Sequence, residues 1–177
     1  VSDVARIEAL YQYGGFYMDT DVEVLKSFTP LLDSRCVLGM EEKEYVATSF
    51  MAFEKGHPLV KQFLDLYKNL TFLDEKGQII TGTNVAKLTN MLIEKGLVQE
   101  NHYQELEDGI KIYPKEFFSP YDYINCYYNI TENSYCVHHF AVSWMSKKEQ
   151  LKKVIKKKIV RFLGPEKMNK LRERINR

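Results

Sequence analysis

The sequence predicts a mixed α/β domain, because segments with helical spacing of apolar residues alternate with short strand-like runs. The helical segments begin near Ser2, Pro58 and Val85, and the runs between them are rich in β-branched and aromatic residues. Hydrophobic residues make up 45% and charged residues 28% of the 177 residues. This composition excludes a disordered chain, a collagen, a coiled-coil rod and a disulfide scaffold.

Each element follows from a local signal. The first helix is expected from Ser2 to Gly14-Gly15, because serine favours a helix start and glycine a helix end. A second helix is expected at Pro58 and a third from about Val85 to Gly96. Strands are expected at 16–18, 22–25, 36–40, 46–53, 110–113 and 135–139, with the charged residues 41–44 forming a turn.

The last 31 residues differ from the rest in charge. Residues 147–177 contain 13 Lys or Arg and three acids, a net +10, which leaves −9 on residues 1–146. We therefore expect a domain over 1–146 and a basic amphipathic helical tail over 147–177. The tail either caps the core with a solvated lysine face or lies on an anionic membrane surface, and nucleic acid is not expected as a partner. In the membrane interpretation the lysines that face the lipid are Lys152, Lys153, Lys156 and Lys157.

The pair Asp19-Thr20-Asp21 follows an apolar strand and is the most informative short motif. Two carboxylates at the end of such a strand need a cation, because burial of an unpaired carboxylate costs several kcal/mol. A hard divalent ion, Mg²⁺ or Mn²⁺, suits oxygen ligands and typically connects carboxylates to a substrate phosphate. The alternative is a solvated turn with an acid on each side.

The context of this pair resembles a known family. Residues 2–22 read SDVARIEALYQYGGFYMDTDV, and residues 138–144 read HHFAVSW. Both segments resemble the family-32-type glycosyltransferases with a DXD motif, which include capsular polysaccharide synthesis proteins and yeast-type initiating mannosyltransferases. The clostridial glucosylating toxins carry a related version. The resemblance covers roughly residues 2–144 and does not extend to the basic tail.

The resemblance implies a metal site and a donor site. Asp21 would bind the metal directly, Asp19 would contact the donor's ribose or sugar and the water shell of the metal, and His138 would be the third protein ligand. Because side chains alternate along a strand, His139 is expected on the opposite face from His138. The implied donor contacts, with Asp19, are Asp3, Arg6, Tyr17, Ser143 and Trp144, and Thr83 and Asn84 are candidate sugar or acceptor contacts.

The implied fold is the GT-A type of nucleotide-diphospho-sugar transferases, a mixed sheet flanked by helices. The implied reaction transfers a sugar from a UDP- or GDP-sugar to a hydroxyl of a saccharide or lipid-linked saccharide, with retention and with Mn²⁺ or Mg²⁺. Asp19 and Asp21 would be its catalytic residues. In the family a strand precedes the first helix, so we expect that this chain lacks its N-terminal strand. Thr81-Gly82-Thr83 also departs from the pattern by having threonine in place of proline.

The expected setting is bacterial capsular or surface polysaccharide synthesis at the inner face of the cell membrane. The three cysteines form no CxxC pair and are expected as free thiols, which favours the cytoplasm over the alternative, a Golgi lumen. The alternative function is an inactive membrane-associated scaffold, or an acidic-polymer-binding protein, with the same fold. A phosphatase of the haloacid-dehalogenase type is disfavoured because that pattern requires Thr or Val where Glu23 stands.

Overall fold

The computed structural model describes residues 2–42, 44–68, 83–123 and 125–140, together with 158–160, 162, 164 and 167. The helices before residue 140 are α1 (Ser2–Tyr13), α2 (Pro58–Lys68), α3 (Asn84–Glu94) and α4 (Lys115–Phe118). The strands are β1 (Gly15–Met18), β2 (Val22–Val24), β3 (Cys36–Glu42), β4 (Tyr45–Val46), β5 (Phe50–Phe53), β6 (Gln104–Leu106), β7 (Ile110–Tyr113), β8 (Tyr121–Asp122), β9 (Tyr127–Tyr128) and β10 (Cys136–His138). None of the described helices is long and apolar enough to cross a membrane.

The main sheet is mixed, and its strand order is β1-β5-β3-β7-β6, with β4 paired to β3. The pairing of β3 with β7 is parallel, and the other pairings in this sheet are antiparallel. Two small ribbons, β2 with β10 and β8 with β9, lie outside it. The predicted mixed sheet flanked by helices is therefore confirmed, whereas the tail from 147 lies almost entirely outside the described residues.

The sheet has a core on each face, because alternate residues of β3 point in opposite directions. Cys36, Leu38 and Met40 pack with the apolar faces of α1, α2 and α3. Val37 points the other way and packs with Phe50 and Phe118. The Phe50 and Phe118 rings are stacked with their centroids 4.1 Å apart, so α4 is held against the second face.

Two of the sequence predictions are corrected by the sheet. The run expected as one strand over 46–53 divides into β4 and β5, which both pair antiparallel with β3 and are separated by the irregular residues 47–49. The charged turn expected at 41–44 begins later, since β3 continues to Glu42. Strands β6, β8 and β9 and helix α4 were not predicted, and each is only two to four residues long.

The connection between α1 and β1 requires glycine at position 14. Gly14 has φ +69°, and a Cβ there would lie 2.6 Å from the Lys55 nitrogen and 2.9 Å from the Phe53 carbonyl oxygen. Gly15 also has a positive φ of +95°, but no atom lies within 4 Å of the position that its Cβ would take. Gly14 therefore combines a backbone constraint with a close approach to the end of β5.

His57 connects the start of α2 to the turn before β7. Its ring is fully buried, its Nδ1 accepts a hydrogen bond from the Leu59 amide at 3.2 Å, and its Nε2 lies 3.2 Å from the Asp108 carbonyl oxygen. These partners require the neutral tautomer with the proton on Nε2. Burial lowers the pKa of His57, and the hydrogen bond to the Asp108 carbonyl offsets only part of that effect.

Replacement of Gly14 is expected to destabilise the fold more than replacement of Gly15. Gly14→Ala should cost more than about 3 kcal/mol, because it adds a backbone clash to the strain of a positive φ. Gly15→Ala, the matched control, should cost only the strain, about 1–2 kcal/mol. Urea unfolding of both variants measures the difference, and equal costs would show that the approach to Lys55 is unimportant.

His57 is expected to make the fold sensitive to mild acid. Because its folded-state pKa is lowered, its contribution to the unfolding free energy is complete above the unfolded-state pKa of about 6.5 and is lost as the pH falls through the folded-state pKa. His57→Asn retains a side-chain oxygen for the Leu59 amide and does not titrate. Between pH 7 and 5 this variant should lose stability less steeply than the wild type, by at most about 1.4 kcal/mol per pH unit. The same slope in both proteins, measured by urea unfolding, would refute this assignment.

Candidate functional site

The candidate site lies where the chain leaves β1. The Asp19 amide donates to the Ser49 carbonyl at 2.9 Å, and the Val22 amide donates to the Asp19 carbonyl at 3.0 Å, so the chain reverses between the two aspartates. β2 then pairs antiparallel with β10, with Val22 opposite His138. This pairing brings His138 next to Asp21 although 116 residues separate them in the sequence.

Asp19, Asp21 and His138 form a group that can hold a metal ion. One ligand atom from each lies within 4.8 Å of the others, and all three residues are half-buried. His138 Nε2 lies 3.2 Å from Asp21 Oδ1, and His138 Nδ1 lies 3.8 Å from Glu41 Oε1. The two carboxylates suit a hard divalent ion such as Mn²⁺ or Mg²⁺, and a neutral imidazole can supply a nitrogen ligand to a metal.

The charges around His138 favour its protonated form. Burial alone would lower the pKa of His138, but the neighbouring carboxylates of Glu41 and Asp21 outweigh it and raise the pKa. The carboxylates that stabilise the protonated imidazole also create a negative potential, which attracts a metal cation. Glu41 was not singled out in the sequence, because it appeared as part of a charged turn rather than as the end of β3.

The two adjacent histidines point to opposite sides of β10. His138 contacts Asp21, whereas His139 Nε2 lies 2.9 Å from Glu23 Oε2 and its Nδ1 lies 2.9 Å from the Tyr128 hydroxyl. Phe140 has a positive φ of +49°, and its ring centroid lies 4.0 Å from that of His138. A strained residue therefore packs against the imidazole that faces the two aspartates.

Arg6 connects the DXD segment to the first turn of α1. Its guanidinium lies 3.0 Å from Asp19 Oδ1 and 3.0 Å from Asp3 Oδ1, and it donates to the Thr48 carbonyl at 3.2 Å. The Arg6 side chain is only 12% exposed, so this is not a solvent-exposed helix ion pair. The Asn84 amide also donates to Asp3 Oδ1 at 3.0 Å, which places the start of α3 beside the same carboxylate.

Tyr17 orients the first aspartate of the motif. Its hydroxyl donates to Asp19 Oδ1 at 2.6 Å, and the Arg6 guanidinium lies 4.7 Å from its ring centroid. Burial and the Asp19 carboxylate raise the pKa of Tyr17 to about 12, so it stays a donor at neutral pH. Asp19 is thus bonded to a cation and a hydroxyl, whereas Asp21 lies beside His138.

Several buried polar atoms near this site lack a hydrogen-bond partner in the described protein. They are Arg6 Nε, Ser49 Oγ, Tyr67 OH and His138 Nδ1. Buried polar atoms are nearly always hydrogen-bonded, so unsatisfied ones in one region indicate a place for solvent or ligand. Sequence patterns could not identify Ser49 or Tyr67, because neither belongs to a motif.

The other predicted site residues have different positions. Thr83 is the N-cap of α3, and its hydroxyl accepts from the Ala86 amide at 3.2 Å. Asn84 is the first residue of that helix and contacts Asp3. Ser143, Trp144 and the four lysines Lys152, Lys153, Lys156 and Lys157 lie outside the described residues.

Comparison with known proteins identifies the family in which this DXD motif occurs. Residues 1–38 match the family model described as the glycosyltransferase sugar-binding region containing a DXD motif. An uncharacterised Arabidopsis thaliana protein is 34% identical over 122 residues, which are 67% of this chain and 18% of that protein. Lactosylceramide 4-alpha-galactosyltransferase of Mus musculus is 30% identical over 125 residues, which are 71% of this chain and 33% of that enzyme.

A yeast enzyme, inositol phosphoceramide mannosyltransferase 3 of Schizosaccharomyces pombe, is 36% identical over 61 residues, 34% of this chain and 17% of that enzyme. No solved structure matches the chain. The chain spans one third or less of the length of these three relatives. The matched region contains Asp3, Arg6 and the two aspartates, and the chain belongs to the family of DXD-containing glycosyltransferases.

Proposed function

We propose that this chain transfers a sugar from a nucleotide-diphospho-sugar to a hydroxyl acceptor, in a reaction that depends on a divalent metal. The observation that carries the proposal is the proximity of two groups: Asp19, Asp21 and His138 within 4.8 Å, and Arg6 bonded to both Asp19 and Asp3. The first group suits a metal with a diphosphate, and the second suits the hydroxyls of a sugar.

The chain's residues have separate tasks in this reaction. Asp21 and His138 would hold Mn²⁺ or Mg²⁺, with Asp19 at the edge of the same group. A bound divalent ion supplies stabilisation of the negative charge that develops on the departing diphosphate. Tyr17 and Arg6 fix the Asp19 carboxylate by two hydrogen bonds to its Oδ1, so that this carboxylate does not need to reorganise when the donor binds.

Asp3, Arg6 and Asn84 orient the sugar, since their polar atoms meet at Asp3 Oδ1 beside the aspartates. We assign Ser143 and Trp144 to the diphosphate, as the resemblance implies, with the indole N–H as donor. We also assign the mixed sheet to the GT-A type and the reaction to retention of the anomeric configuration. These assignments depend on the family, whereas those of Asp3 and Asn84 also have contacts that support them.

The acceptor is proposed to be carried by a lipid. Two relatives have names that specify a ceramide lipid as acceptor, lactosylceramide in one and inositol phosphoceramide in the other. Their names also specify galactose and mannose as transferred sugars, so UDP-galactose and GDP-mannose are the donors to test first, with UDP-glucose as the epimer of UDP-galactose for comparison. Capsular polysaccharide synthesis stays a prediction from the sequence, since these relatives come from mammals and yeast.

A lipid-borne acceptor gives the basic tail a role. A net charge of +10 over residues 147–177 suits an anionic membrane surface, where the acceptor would be located. We propose peripheral attachment through Lys152, Lys153, Lys156 and Lys157, at the inner face of the cell membrane or, alternatively, in the Golgi lumen.

Donor binding is expected to depend on Asp21 and on metal. With a donor at 100 times its Kd, the chain gains about 2.7 kcal/mol, which raises its melting temperature by roughly 5–10 °C. Asp21→Asn should lose most of this increase, because it removes a charged ligand but little volume. The measurement is a thermal shift with UDP-galactose, UDP-glucose and GDP-mannose, with and without Mn²⁺.

Glu23→Gln is the matched control, because Glu23 is an acidic residue of β2 only two positions after Asp21 but contacts His139. It should retain the metal-dependent increase. An increase of the same size without Mn²⁺, or in Asp21→Asn, would contradict the metal site. No increase with any donor would favour the scaffold alternative over the enzyme.

Membrane attachment is expected to depend on the four tail lysines. Each Lys near an anionic surface contributes about 1 kcal/mol, so a variant with Lys152→Glu, Lys153→Glu, Lys156→Glu and Lys157→Glu should be released from vesicles. The assay is sedimentation with phosphatidylserine-containing vesicles at about 0.15 M salt, and pure phosphatidylcholine vesicles are the control. Unchanged binding by the variant would leave the tail as a cap on the core.

A further inference from the structure

Tyr67 has a buried hydroxyl without a partner in the described protein. It lies in the last turn of α2, and its half-buried ring packs against Phe63 with centroids 5.7 Å apart. The core packing accounts for the ring but not for the oxygen. A buried hydroxyl without a hydrogen bond destabilises the protein, so its presence at this position needs an explanation.

Helix α2, which carries Tyr67, packs against α1 and α3, the two helices that carry the proposed sugar contacts. Lys87 Nζ of α3 lies 5.0 Å from the Tyr67 ring centroid. Asn84 is one turn earlier on the same face of α3, and its amide donates to Asp3 of α1. Burial is the main cause that raises the pKa of Tyr67, and the Asp3 carboxylate adds to it.

The charges in this region favour a neutral ligand with hydroxyl groups. Arg6 pairs with both Asp3 and Asp19, and Lys87 adds a second positive charge over the Tyr67 ring, so the two acidic and two basic groups sum to zero net charge. Arg6 Nε and the Tyr67 hydroxyl are both without partners, and together they offer one fixed donor and one group that donates or accepts. A sugar hydroxyl satisfies both kinds of group.

We propose that Tyr67 determines sugar specificity, with its hydroxyl bonded to one hydroxyl of the donor's sugar. This inference rests on the proposed function and extends its sugar pocket from Asp3 and Asn84 to the end of α2. The site then distinguishes sugars that differ in configuration at one carbon, because the wrong epimer leaves the Tyr67 oxygen unsatisfied.

Tyr67→Phe is the appropriate variant, since it removes only the oxygen and keeps the contacts of the ring with Phe63 and Lys87. Affinity is measured in Mn²⁺ by calorimetry for UDP-galactose, UDP-glucose and GDP-mannose and for free UDP and GDP. The variant should bind the wild type's preferred nucleotide sugar about 3- to 10-fold more weakly, the range of one neutral hydrogen bond. Its affinity for the free nucleotide should stay within about twofold, and the preference between glucose and galactose should narrow.

Thermal unfolding without ligand tests whether the Tyr67 hydroxyl has a structural role. Since the oxygen has no partner to lose, Tyr67→Phe should melt at the same or a higher temperature than the wild type. Tyr11→Phe, a half-buried tyrosine of α1 that packs against the same core, is the matched control and should leave sugar affinity unchanged. A lower melting temperature for Tyr67→Phe, or an equal loss of sugar and free-nucleotide affinity, would overturn the inference.

The two proposals fail in different ways. A wild type that binds no nucleotide sugar overturns the proposed function and this inference with it. A wild type that binds a nucleotide sugar as tightly as Tyr67→Phe overturns the inference alone.

Discussion

The site depends on one buried cation, the guanidinium of Arg6. It bonds to Asp3 in its own helix, to Asp19 after β1 and to the carbonyl of Thr48 in the bend before β5. Without it, the two carboxylates and the carbonyl would face one another in a half-buried region, at a cost of several kcal/mol. Arg6 therefore fixes the position of α1 against the sheet and the position of the DXD segment together.

The metal group depends on a different contact, the pairing of β2 with β10. Neither strand belongs to the main sheet, and each has three residues, so the ribbon is stable only where it packs against the rest. Cys136 supplies that packing on the second core, and the strained Phe140 packs against His138. His138 is thus held by a short ribbon, and packing against the core fixes the position of that ribbon.

The sequence predicted the parts of this structure that depend on neighbours in the chain. The extent of α1, the turn at Gly14-Gly15 and the approach of Asp19 to Asp21 follow from local spacing and from the family motif. The break within 46–53 could not be predicted from local spacing, because the run pairs with β3 on one side and with β1, more than 30 residues earlier, on the other. The sequence did not single out Tyr67, because a tyrosine on the apolar side of a helix indicates core packing. Only the fold shows that its oxygen has no hydrogen-bond partner among the described residues.

The division of labour between the two aspartates follows from these contacts. Two carboxylates within 4.8 Å repel each other, and this repulsion is reduced when Arg6 and Tyr17 occupy Oδ1 of Asp19. Asp19 can then contribute geometry and hydrogen bonding to the sugar side, while the negative potential near Asp21, His138 and Glu41 is retained for a cation. The spacing of one residue in the motif puts these two tasks on either side of a single turn. Under the proposed function, the neutral sugar and the charged diphosphate would lie on the two sides of this turn.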